Sequence, residues 1–65
     1  MINVLTLKPG DRLELEDGTI AEVLENMDDG MWVQVRYLEV ARNPAEVGDI
    51  ELCHAQDIAK LLNAT

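Results

Sequence analysis

The chain has a single cysteine, no phenylalanine, one tryptophan, one tyrosine and only five basic residues. Each scarcity excludes something. With Cys53 alone no internal disulfide can form, so 65 residues must be held by their own core or by a partner. A lone thiol also fits a reducing compartment better than a secreted, disulfide-stapled scaffold. Without rings to fill it, the core has to be built from Leu, Val, Ile, Met and Ala. Thirteen acids against the five bases give a net charge of −8. A field of that sign repels phosphate backbones and anionic membranes, so nucleic acid and lipid surfaces are disfavoured partners. The same acids keep a small domain in solution, or steer it towards a basic partner. No apolar run approaches the roughly 20 residues that span a bilayer. Residues 1–7 lack the basic start and long apolar core of a signal peptide. One domain covering residues 1–65, in the cytoplasm, is the expectation.

What is present is a pattern of short strands and tight turns. Asp17-Gly18 and Asp29-Gly30 are dipeptides that supply the positive φ values of hairpin turns. Between Lys8-Pro9-Gly10-Asp11 and Asp17, the segment Arg12-Leu13-Glu14-Leu15-Glu16 alternates strictly, with Leu13 and Leu15 on the inner face. Residues 19–25 return as a second strand, Ala21 and Val23 on one face and Ile20, Glu22 and Leu24 on the other. Apolar side chains on both faces suggest a strand that bends across a barrel or is covered twice. Residues 20–27 also suit a helix by propensity, but the flanking glycine turns favour a strand. Residues 31–40 form the longest strand: Met31, Val33, Val35 and Tyr37 read as core, and Trp32, Gln34, Arg36 and Leu38 as a partly exposed face.

Residues 41–48 read as a loop, since Pro44 cannot sit in a central strand. Residues 49–53 alternate again, with Ile50 and Leu52 expected inward. His54-Ala55-Gln56-Asp57 suggests one helical turn, and residues 58–62 a final strand or half-helix. Residues 2–7 are either an edge strand or an arm packed on the body. The fold class is therefore all-β: five or six short antiparallel strands with a short helical turn near the C-terminal end.

Two segments carry a resemblance. Asp28-Asp29-Gly30-Met31-Trp32-Val33-Gln34-Val35 is similar to the acidic loop and Trp-bearing strand of SH3 domains. The stretch from Gly48 through Asp57 to Leu62 looks like their closing strand, helical turn and terminal strand. The resemblance implies a small SH3-like barrel. In peptide-binding SH3 domains a Trp and several Tyr residues line a groove for proline-rich ligands, with loop acids pairing a basic ligand residue. Trp32, Asp28 and Asp29 match part of that arrangement. The opening aromatic motif is missing, and proline docking needs an aromatic-lined groove. A second segment, Lys8-Pro9-Gly10-Asp11-Arg12-Leu13-Glu14-Leu15 with Gly18 and Ala21-Glu22-Val23, resembles the KOW element of ribosomal and transcription factors, also an SH3-like barrel. The basic positions of that element are largely Glu or Asp here.

No catalytic, cofactor or metal signature stands out. Cys53 and His54 are neighbours, and on a strand neighbours point to opposite faces, which separates a nucleophile from its base. Glu25, Asp28 and Asp29 surround one turn without EF-hand spacing. Gly10, Gly18, Gly30 and Gly48 are isolated turn residues and make no phosphate cradle. The remaining candidate is Trp32. Either it caps the barrel end or packs under the 41–48 loop, or it anchors an interface with Gln34, Arg36 and Leu38 beside Asp28 and Asp29, because Trp and Arg dominate binding hot spots. The expectation is a non-enzymatic interaction module that takes a protein partner with a basic region, or a second copy of itself. The alternative is a KOW-like nucleic-acid module using Lys8, Arg12, Arg36 and Arg42.

Overall fold

A computed structural model describes residues 4–62. Five antiparallel strands form one sheet: β1 (Arg12–Leu15), β2 (Ile20–Asn26), β3 (Trp32–Glu39), β4 (Ile50–His54) and β5 (Ile58–Leu61), in the order β4-β3-β2-β1-β5. The first three follow from alternation and glycine turns, and of the residues 20–27 that also suited a helix, Ile20–Asn26 take the strand. Short 3-10 turns at Val4–Thr6, Pro44–Glu46 and Ala55–Asp57 complete the described chain.

Register places the core. Leu13 lies opposite Ala21, which lies opposite Tyr37; Val23 lies opposite Val35; Val33 lies opposite Cys53. Side chains directly opposite one another share a face, so these rows make one apolar layer. Leu13, Ala21, Val23, Val33 and Val35 are fully buried in it. Val4 and Leu7 pack into the same cluster from the N-terminal 3-10 turn. That segment is therefore the arm packed on the body over residues 4–7, and residues 2 and 3 lie outside the described chain.

Two bulges between β2 and β3 reset the alternation. On β2, Leu24 is extra: Val23 faces Val35 and Glu25 already faces Gln34. On β3, Leu38 is extra between Tyr37, opposite Ala21, and Glu39, opposite Ile20. An inserted residue flips the parity of everything beyond it. Val40 is consequently turned inward and buried, although it is out of phase with Val33 and Val35. Asn26 is likewise brought round to the N-terminal arm. Its Nδ2 donates to the carbonyls of Val4 at 2.8 Å and Leu7 at 2.9 Å, and its Oδ1 accepts from the Asp28 N–H at 2.8 Å.

The expected inward pair on β4 is corrected. Ile50 is 51% and Leu52 58% exposed, and the buried residue of that strand is Cys53. A bulge causes the shift: Tyr37 donates its N–H to Asp49 and accepts from Gly48, so two residues stand against one. Gly48 takes the positive φ of 93° that this arrangement requires. Met31, expected in the core, is 48% exposed because β3 begins only at Trp32 and Met31 still belongs to the turn.

β4 and β5 are opposite edges of the sheet, yet only the 3-10 turn Ala55–Asp57 joins them. At about 2 Å of rise per residue such a turn spans a few ångströms, so the sheet must curl to bring its edges together at that corner.

Candidate functional site

The same register that buries one face defines the other. On the outer face one row runs Arg12, Glu22, Arg36, Ile50 across β1, β2, β3 and β4. The next rows on β3 and β4 are Gln34 opposite Leu52 and Trp32 opposite His54. Trp32, Ile50 and Leu52 therefore form an exposed apolar strip on β3 and β4, with Gln34, Arg36 and His54 among them. Trp32 is 37% exposed and meets His54 edge-on at a ring separation of 4.8 Å. It stands at the start of β3, while the 41–48 loop follows the other end of that eight-residue strand. Trp32 thus does not pack under the loop.

Asp28 and Asp29 sit in the turn that leads into Trp32. The Asp29 carboxylate accepts the N–H groups of Met31 at 2.8 Å and Trp32 at 2.9 Å, and these bonds hold its pKa below the usual carboxylate value, the Trp32 bond foremost. Asp29 is therefore the fixture that starts β3. Asp28 takes a φ of 61°, which an aspartate tolerates at a turn better than most residues. Leu38 occupies the β3 bulge at the far end of the strand and is half-buried, away from the strip's centre. Of the six candidates, the structure unites Trp32, Gln34 and Arg36 on one face, sets Asp28 and Asp29 at its rim, and leaves Leu38 apart. Ile50 and Leu52 join the face without having been expected there.

The bases are dispersed among acids. Arg42 reaches Asp17 at 2.9 Å and grips Glu46 through two nitrogens at 3.1 and 3.2 Å. Asp17 is held below the normal carboxylate range chiefly by the Thr19 N–H, with Arg42 contributing less. Arg12 and Arg36 flank Glu22, and Lys60 stands 3.8 Å from Glu14.

At the β4 edge an open hollow of about 190 Å³ is lined by Leu15, Glu16, Asp17, Tyr37, Leu52, Cys53 and Asp57. Its lining combines apolar side chains with three carboxylates, Glu16, Asp17 and Asp57. Burial first, then Asp57 and Asp17, push the Cys53 thiol up to about 11. Burial and then Glu51 raise the Tyr37 hydroxyl as well. Cys53 and His54 do not meet as a pair. The thiol approaches the His54 carbonyl at 3.6 Å, and His54 Nδ1 accepts the Gln56 N–H at 3.0 Å, capping the 3-10 turn. A thiol so hard to ionise carries little thiolate near neutral pH. Among the described residues no cluster of three or more His, Cys, Asp or Glu is placed to hold a metal ion, and no helix is long and apolar enough to cross a membrane.

No family model matches the chain, and no curated protein or solved structure matches it significantly.

Proposed function

We propose that this protein is a non-enzymatic interaction module built on a small SH3-like barrel, which binds a protein partner through the Trp32-centred outer face of β3 and β4. The strand order, with one 3-10 turn linking the two edge strands, supports the barrel. The observation that carries the function is the exposed strip of Trp32, Ile50 and Leu52 beside Arg36 and Gln34. Tryptophan and arginine next to exposed aliphatic side chains are the composition of an interface core. The net charge of −8 favours a partner with a basic region. Arg42 held by two carboxylates and Arg12 and Arg36 separated by Glu22 weigh against the KOW-like alternative, which needs clustered bases.

The test is capture of partners by the wild-type domain, with Trp32→Ala as the paired bait and urea melts of both. Retention of the fold with loss of one protein partner supports the module. RNA recovered equally by both baits transfers the protein to the KOW-like class. A collapse of stability in Trp32→Ala returns the indole to a structural role.

A further inference from the structure

The two edges of the sheet carry charges of opposite sign. Each edge strand carries one charged side chain, Lys60 on β5 and Glu51 on β4, and a charge on an edge deters pairing with a strand of like charge. β4 has no lysine and no proline. Among the described residues no strand pairs with its far side. The printed bonds fix which groups that side presents. Tyr37 and Met31 of the β3 side bond to Asp49, Gly48 and Ala55, so Val35 and Val33 between them bond to Glu51 and Cys53. The N–H and C=O of Ile50 and Leu52 must then point away from the sheet. These are also the residues whose apolar side chains are exposed.

We propose that β4 is the docking edge for an extended segment that alternates basic and apolar residues, added to the sheet as a further strand. The inference rests on the interaction-module reading and specifies its partner. An added strand presents successive side chains to opposite faces. On the outer face its side chains meet Ile50 and Leu52, within reach of Trp32. On the other face they meet Glu51, and at the edge itself they meet the hollow, whose lining holds Glu16, Asp17 and Asp57 together with Leu15 and Tyr37. A lysine or arginine fits that hollow: its aliphatic stem packs on Leu15 and Tyr37 and its charge reaches the carboxylates. Charge chooses the occupant. A second copy would bring another −8 to the same edge, whereas a basic segment is drawn to it. The β4 backbone supplies the hydrogen bonds and the two faces supply the selectivity, as in other strand-addition complexes.

The probe is a seven-residue peptide alternating lysine and valine, compared with its glutamate–valine counterpart. Backbone amide shifts and Trp32 fluorescence of the folded domain report binding. The lysine peptide is expected to move the Ile50 and Leu52 amides and slow their hydrogen exchange at least tenfold, while the glutamate peptide does nothing. Leu52→Pro removes one outward N–H and no bond to β3, and should weaken peptide binding at least tenfold. Leu52→Lys keeps the backbone and makes the edge basic, and should do the same if the proline variant does not fold. Asp57→Lys should weaken binding of the lysine peptide and leave the β3–β4 amides in place. Equal binding of both peptides, binding unaffected by the Leu52 substitutions, or no shift at Ile50 and Leu52 overturns the proposal. So does sedimentation showing a dimer that Leu52→Pro dissociates, which gives the edge to a second copy. A partner still lost in Trp32→Ala while the peptide fails to bind would leave the module standing and remove only the strand-addition mode.

Discussion

Asn26 offers the sharpest test of how this small domain is held together. Its side chain makes three hydrogen bonds at 2.8 to 2.9 Å, two of them to carbonyls of the N-terminal arm. Asn26→Ala deletes all three and leaves the Val4 and Leu7 carbonyls to find other donors. At about 1 kcal/mol net per bond, and somewhat more where a partly buried carbonyl goes unpaired, the loss comes to about 3 kcal/mol. A chain of this length has about 3–10 kcal/mol of total stability, so the variant should be marginal or unfolded at room temperature. Urea denaturation followed by Trp32 fluorescence measures it. If Asn26 acts by clamping the arm, its effect must overlap with that of the arm's buried anchor. Val4→Ala and Asn26→Ala should then fall short of additivity by about 1 kcal/mol in a double-mutant cycle. Asn26→Asp tests the direction of the bonds, since it keeps the acceptor for Asp28 but sets an anion against two carbonyl oxygens. It should be no more stable than the alanine variant. A loss below about 0.5 kcal/mol for Asn26→Ala, or strict additivity with Val4→Ala, would refute the clamp.

Two further outcomes follow from single residues. The Cys53 thiol has a folded pKa of about 11 against an ordinary 9.0, so the fold favours the protonated form. Its stabilising effect is complete below pH 9 and is lost as pH rises through 11, because the unfolded chain releases its proton first. Beside an open hollow where solvent screens the charge, the drop should be on the order of 1–2 kcal/mol, and it should be missing from the pH dependence of Cys53→Ala melts; parallel curves for the two proteins would contradict it. Gly48→Ala meets no steric obstacle, but its φ of 93° is strained for any residue with a side chain. A loss of about 1 kcal/mol or more is expected in chemical denaturation, and a stabilised variant would mean that the bulge can relax.

The sequence made the inner layer legible wherever alternation ran uninterrupted between glycine turns, as in Leu13 and Leu15, Ala21 and Val23, Val33 and Val35. It misled where a bulge intervened. Nothing in Leu24 or Leu38 marks it as the extra residue, because a bulge is fixed by the partner strand's register rather than by local chemistry. Ile50 and Leu52 show the limit most plainly. Two aliphatic residues spaced by one read as core, yet the Gly48 bulge turns them outward and gives the small Cys53 the place against Val33. Gly48 was visible as a turn residue, but its consequence for parity was not. On the candidate face, Trp32, Gln34 and Arg36 could be grouped by their spacing of two within one strand. Their β4 neighbours, and the hollow that gathers Leu15, Tyr37 and Asp57 from three parts of the chain, depend on pairing that spacing cannot supply.

The pairing of β5 with β1 has a consequence for how the protein is made. β1 to β4 form a meander in which each strand lies against the one synthesised just before it, whereas Leu61 must find Leu13 from far along the chain. Until β5 leaves the ribosome, β1 is itself an edge, and Leu13 and Leu15 lack Ile58 beside them in the core. Contacts between distant parts of a chain are the slow ones to form. Between the emergence of β4 and that of β5, this domain is thus a four-stranded sheet whose first strand is an unpaired edge. An edge strand left unpaired in that interval is open to aggregation or to capture by a chaperone.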